Sequence, residues 1–291
     1  VNNKEQKDFE EAKTMATGKS KQILLVNDMA GYGKVALSAM IPVLSHMKHN
    51  IYNLPTALVS NTLDYGKFDI LETTDYMRNT IKIWDELGFS FDAVATGFIV
   101  SEEQAKLTAS FCKCQKEKGA VIFVDPIMGD EGMLYNGVTE KTISHMKELI
   151  KVSDYIVPNY TEAAYLAEEE YKKEGISESE SDRLIEKLIE IGAKSVVITS
   201  AKVDGRDSVI VYDYAEKKKS IIPFTSVPVR FPGTGDIFSA IFTGEIVGGN
   251  SITDSTKKAM ETVKELIEKN KDNVDKYKGI PLESYLEVLD R

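Results

Sequence analysis

The sequence predicts an α/β fold, with a mainly parallel central sheet, helices on both faces and a late antiparallel hairpin. Three observations carry that expectation. From Gln22 onward, short β-rich runs alternate with helical patterns, the order of a parallel sheet built through crossover helices. The strand runs are apolar throughout, as strands covered on both faces must be. Near Ser208–Pro223 the alternation gives way to SVIVYDYAEKKKSIIPF, two strands about a charged turn.

Taken in order, QILLV (22–26) is the first strand and ends at Asn27 and Asp28. A helix follows, with apolar positions at Val35, Leu37, Met40, Ile41 and Leu44. A second strand covers Ile51 to Val59, and a helix runs from Thr73 to Leu87. Strand DAVAT leads to a helix over Glu102–Glu117, and strand AVIFV leads to Asp125. A helix from Thr139 to Lys151 precedes strand DYIVP and the helix after Asn159. Helix Asp182–Ile191 precedes strand SVVITS, and long helices run from Gly233 through Asn270. No repeat, low-complexity linker or composition shift marks a boundary, so a single domain over residues 21–291 is expected. Residues 1–20, VNNKEQKDFEEAKTMATGKS, are polar and charged and lack the apolar middle of a secretory signal. They are expected to form a loose N-terminal arm.

The 291 residues are 42% hydrophobic and 28% charged, enough for a core that needs no disulfide or metal. Cys112 and Cys114 complete neither a zinc set nor a disulfide framework, so reduced cytosolic thiols are expected. The net charge of -10 argues against a nucleic-acid partner, which needs a basic footprint. It leaves room for an anionic small molecule held by a few local donors. No apolar run approaches the ~18 residues of a membrane span, so a soluble, cytoplasmic chain is expected.

The predicted strand ends carry Asp28, Ser60, Gly97-Phe98, Asp125, Asn159 and Thr199-Ser200, and ligands of open α/β sheets gather at that rim. FPGTGDIFSAIFTG (231–244) is the strongest local signal. Gly233, Thr234 and Gly235 make a turn with little bulk before an apolar helix whose first N–H groups lack intrahelical partners and attract anions. Asp236, a carboxylate just inside that turn, suits a base that accepts a proton from an attacking hydroxyl. A plain turn with a favourable first-turn acid accounts for the string equally well.

VDPIMGDEG (124–132) places Asp125 and Asp130 near one strand end, which suits Mg²⁺ and its waters or simply a solvated turn. In PNYTEA (158–163), Asn159 and Glu162 have the spacing of a capping box, the stronger reading of that segment by itself. GKS (18–20) fails as a phosphate loop, because Lys13 stands where the earlier glycine is required. GYGKVA (31–36) lacks the acidic partner ~20 residues on that a dinucleotide site needs. His46, His49 and His145 form no catalytic or metal set.

In this order, VNDMAGYGKVALSAM, LPTALVSNTLDYG, ATGFIVSEEQ, VDPIMGDEGMLY, VPNYTEAAYL, VITSA and GTGDIFSAIFTG resemble the ribokinase-like kinases, and more narrowly their pyridoxal/pyridoxamine kinase branch. The likeness runs from Gln22 to Leu289. It implies MgATP-dependent phosphorylation of the 5′-hydroxymethyl group of pyridoxal, pyridoxine or pyridoxamine. Asp236 would be the base and Gly233, Thr234 and Gly235 the anion hole. Asp125, Asn159 and Glu162 match magnesium and phosphate positions, and Thr199 and Ser200 match a nucleotide-contacting pair. Asp28 and Phe98 fall where the family contacts or covers the ring. A homodimer and a monovalent cation are also implied.

Departures from the family pattern cluster around the substrate. Asp28 replaces a usual serine and is also similar to the hydroxymethylpyrimidine kinases of thiamine synthesis. Phe98 replaces a tyrosine, keeping the stacking face but losing the hydroxyl. Thr62 and Leu63 stand for a histidine and threonine, and Val157 replaces a threonine associated with the monovalent ion. A pyrimidine kinase and a catalytically silent vitamer-binding or nucleotide-binding paralogue are therefore the alternatives.

Overall fold

The computed structural model describes residues 20–135 and 138–290, so of the expected arm over residues 1–20 only Ser20 falls within it. Among the described residues, nine strands form one sheet in the order β11-β10-β9-β8-β5-β4-β1-β2-β3. Its parallel centre consists of β1 (Gln22–Ala30), β2 (Asn50–Val59), β4 (Ala93–Thr96), β5 (Val121–Val124), β8 (Tyr155–Ile156) and β9 (Ser195–Val203). β3 (Ile70–Glu72) closes one edge antiparallel, and the hairpin of β10 (Arg206–Asp213) and β11 (Lys218–Pro223) closes the other. A separate two-stranded ribbon pairs β6 (Gly129–Asp130) with β7 (Met133–Leu134).

Helices cover both faces, as the uniformly apolar strands require. On one face lie α2 (Thr74–Glu86), α3 (Glu102–Glu117), α4 (Glu140–Val152), α5 (Tyr160–Ala167) and α6 (Glu178–Ile191), whose buried side chains share one core with Leu24 and Val26 of β1. On the other lie α1 (Ala36–His46), α7 (Thr234–Val247) and α8 (Ile252–Asn270), whose buried side chains share a second core with Ile23 and Leu25. Alternate residues of one strand thus feed two cores, each buried aliphatic side chain contributing ~1.5–3 kcal/mol. In α7 every residue from Ile237 to Gly244 is buried. A helix apolar all round must sit inside the protein, and that fixes where its N-terminus points.

After β1 the chain builds β2 on one side, then returns to place β4 on the other. The crossovers diverge between β1 and β4, which opens a crevice at the carboxyl ends of those strands.

Four local expectations change. β1 runs on to Ala30 rather than ending at Val26, because pairing with β2 continues after a register shift between Asn27 and Met29. Strand DYIVP narrows to Tyr155–Ile156. Helix α6 starts at Glu178 rather than Asp182, because Ser177 and Glu180 form a reciprocal capping box. Strands β3, β6 and β7 are too short to leave a period in the sequence. Among the described residues no helix is long and apolar enough to cross a membrane.

Candidate active site

The N-terminus of α7 lies over the crevice. Gly233 caps the helix in the left-handed region, φ 84°, and a Cβ there would lie 2.1 Å from the Lys34 carbonyl oxygen. Only glycine fits that approach. Gly235 is exposed, and a Cβ on it would meet nothing within 4 Å, so the first turn opens outward. The cap supplies no side-chain acceptor, and Thr234 turns its hydroxyl back to donate to the Phe231 carbonyl, 3.2 Å. The first-turn N–H groups therefore have no intrahelical or side-chain capping partner.

Asp236 accepts hydrogen bonds from the Ala36 N–H and from Asn27 Nδ2, the latter at 3.4 Å. Burial pushes its carboxyl up to about 6, with both hydrogen bonds holding it down. Asp125, at the end of β5, accepts from Ser239 Oγ at 2.7 Å. Burial and the charge of Asp236 push it up to about 7. Asp28 is likewise raised to about 7, by burial and then by Asp236. Three carboxyls from β1, β5 and α7 thus face one space, and among the described residues no lysine or arginine figures in the shift of any of them.

The segment after β5 is held from α5. Asn159 and Glu162 form the capping box, and both also reach the preceding loop. Glu162 Oε1 accepts from the Met128 N–H at 3.0 Å, and Asn159 Nδ2 donates to the Gly129 carbonyl at 2.8 Å. Glu162 is 3% exposed, and burial and the nearby Asp125 charge raise its carboxyl well above the ordinary range. Asp130 lies beside this loop, 4.0 Å from Arg230, which pairs with Asp64 at 2.8 Å. Asp130, Tyr135 and Arg230 line an adjoining cavity of about 350 Å³.

Phe98 is half-buried just past β4, its N–H donating to Asn27 Oδ1 at 2.8 Å and its carbonyl accepting from Thr56 Oγ1 at 2.8 Å. Thr62 is buried and its hydroxyl donates to the Tyr277 carbonyl, 2.6 Å, so that hydroxyl is already engaged. Thr199 pairs with Asn159 in an isolated parallel bridge. Exposed Ser200 is left-handed, φ 54°, where the β9–β10 register shifts. A bulge of this kind re-aims side chains at a rim. Val157 is buried and offers no side-chain oxygen.

Asp28, Asp125 and Asp236 share one electrostatic environment, whereas Asp130 sits toward Arg230 and Thr62 toward Tyr277. Asn27, Ser239 and Arg230 escaped the sequence reading. The polar Asn27 at the end of an apolar run was the only hint of its place. Among the described residues no three His, Cys, Asp or Glu side chains converge as a metal cage. Partly buried carboxyls without a protein cation still suit a hard ion that keeps its waters and shares phosphate oxygens.

A parallel sheet with its crevice at the β1/β4 divide, an open helix N-terminus above it and a carboxylate just inside that turn are the parts of an ATP-dependent kinase with a ribokinase-like fold. A family model described as phosphomethylpyrimidine kinase matches residues 56–281, and the chain belongs to that family. A crystal structure from Bacteroides thetaiotaomicron assigned to phosphomethylpyrimidine kinase is 34% identical, with a TM-score of 0.88 over 94% of this chain and 95% of that one. A second crystal form of such a protein from that organism, 33% identical with a TM-score of 0.87, contains pyridoxal and covers 94% of this chain and 96% of that one. A pyridoxal kinase of Corynebacterium diphtheriae is 24% identical over 84% of this chain and 88% of its own length. These relatives align the chain with the pyridoxal kinase branch of the superfamily.

Proposed function

We propose that this chain transfers the γ-phosphoryl group of ATP to the 5′-hydroxymethyl group of pyridoxal, pyridoxine or pyridoxamine. The observation that carries the mechanism is the Asp236 carboxylate, fixed by Asn27 and the Ala36 N–H beside the open α7 turn. In the proposed step Asp236 takes the hydroxyl proton as the substrate oxygen bonds to the γ-phosphorus. The bond to the bridging oxygen breaks and ADP leaves. A base raised to about 6 is ionised at neutral pH yet more basic than an ordinary aspartate. The N–H groups of the 233–235 turn would bind the charge on the equatorial oxygens.

Mg²⁺ would offset the triphosphate charge, and Asp125 would help hold it, with Glu162 and Asn159 shaping the adjoining loop. Asp130 and Arg230 would border that region, and Thr199 and Ser200 the nucleotide. Phe98 would cover the pyridine face, and Asp28 would meet polar groups on the ring. A homodimer is also part of the reading. Its support is edge strand β3, where Leu71 and its cross-strand partner Leu58 are both exposed.

The family model's own description and the acid at position 28 favour a second reading, hydroxymethylpyrimidine as the acceptor. Product formation from each B6 vitamer and from hydroxymethylpyrimidine with MgATP separates the two. Turnover of vitamers is expected, and turnover of the pyrimidine alone would overturn the B6 assignment.

A further inference from the structure

The side-chain amide of Asn27 joins parts of the crevice that are remote in sequence. It is 1% exposed. Its Oδ1 accepts from the N–H groups of Asp28, 3.0 Å, and Phe98, 2.8 Å. Two donors on one atom fix the amide's orientation, because the flipped amide would set an NH₂ group against two N–H donors. Nδ2 must then face the opposite way, toward Asp236 Oδ1 at 3.4 Å and Met40 Sδ at 3.6 Å. Gly97 leaves the space for this, since a Cβ there would lie 2.4 Å from the amide carbon and nitrogen.

We infer that Asn27 is a positioning residue for phosphoryl transfer: its amide holds the Asp236 carboxylate, while its oxygen locks the Asp28 and Phe98 main chains in register with that base. The inference rests on the assignment of Asp236 as the base. Like charges face Asp236 from β1 (Asp28) and from the end of β5 (Asp125), with Glu162 of α5 beyond. The Ala36 N–H is its other donor. An Asn27 N–H bond therefore favours the ionised base against its acidic neighbours.

Asn27→Asp is the near-isosteric test, because it keeps an acceptor for both N–H groups and replaces the donor facing Asp236 with oxygen. The acid limb of the kcat–pH profile is expected to move up by about one pH unit. Below that limb, kcat then falls about tenfold and partly recovers at higher pH, with the vitamer KM nearly constant. Gly97→Ala leaves Asn27 in place but drives a Cβ into its amide, and is expected to lower kcat and raise the vitamer KM, since Phe98 also shifts. MgATP-induced thermal stabilisation of each variant reports that it is folded. An unmoved acid limb in folded Asn27→Asp, with Asp236→Ala inactive, overturns the role of Asn27 alone. Near-normal turnover of Asp236→Ala overturns the base itself.

Discussion

Asp125 and Asp154 belong to adjacent strands of one sheet, at opposite rims, and their environments are opposites. Asp154 precedes β8 at the amino rim, where it pairs with Lys116 at 2.8 Å and Lys194 at 2.9 Å and accepts from the Ile122 N–H at 3.0 Å. Burial works against its charge, but these three partners outweigh burial and hold its carboxyl below the ordinary range. Asp125 follows β5 at the carboxyl rim with one hydroxyl partner, and burial and Asp236 push it up to about 7. A carboxylate given cations by its own chain serves the fold. One buried beside other acids and given none costs stability, and its charge is offset only when a cation arrives from solution.

The largest break in that comparison comes at Asp236, the acid that raises its neighbours. Asp236→Ala is expected to lower kcat ~10²–10⁴-fold, the range of a lost general base. Binding of MgATP, read by calorimetry, should be largely kept. Near-normal turnover would leave the carboxyl rim without its chemistry.

Exchanging charge for amide at both aspartates sharpens the contrast. Asp125→Asn is expected to raise the Mg²⁺ requirement or lower activity ~10–100-fold while the unliganded protein melts at an equal or higher temperature at pH 7.5. Asp154→Asn should leave kcat within a factor of two or so and cost ~1.5–3 kcal/mol of stability, through the lost charged hydrogen bonds. A denaturation series and a Mg²⁺ titration on each variant check both halves, and matching profiles would erase the distinction.

The smallest effect is a pH slope. Asp28 and Asp125 are raised from 3.8 to about 7 in the folded protein, so between those values it keeps protons the unfolded chain releases. Their stabilising contribution is full below pH 3.8 and is lost as pH rises through about 7. Relative to wild type, Asp28→Asn should therefore gain stability at pH 7.5, and that gain should shrink at pH 5.5, where the wild-type carboxyl is largely protonated. Parallel melting curves for the two proteins at both pH values would remove the premise of strain at Asp28.

The sheet was legible because its strands are apolar on both faces and its helices carry a 3.6-residue period. Helix α3 falls on Glu102–Glu117 as read. The site was legible in pieces. The GTGD turn announces an open helix start through its glycines, and the capping box in PNYTEA was readable from spacing alone. What that box also does, gripping the Met128–Gly129 backbone, depends on a loop some thirty residues away and left no local trace. The same holds for Thr62, which the family resemblance sets near the substrate and whose hydroxyl meets the Tyr277 carbonyl, 215 positions along the chain.

The sequence by itself determined the α/β alternation, the open turn ahead of Asp236 and the acids at strand ends, because periodicity, glycine and charge act over a few neighbouring residues. Only the tertiary structure decided which acids share a space, how far burial lifts each one, and where the Asn27 amide points. Desolvation and hydrogen-bond direction depend on what surrounds a group in three dimensions, and Asn27 meets Asp236 across 209 positions of chain.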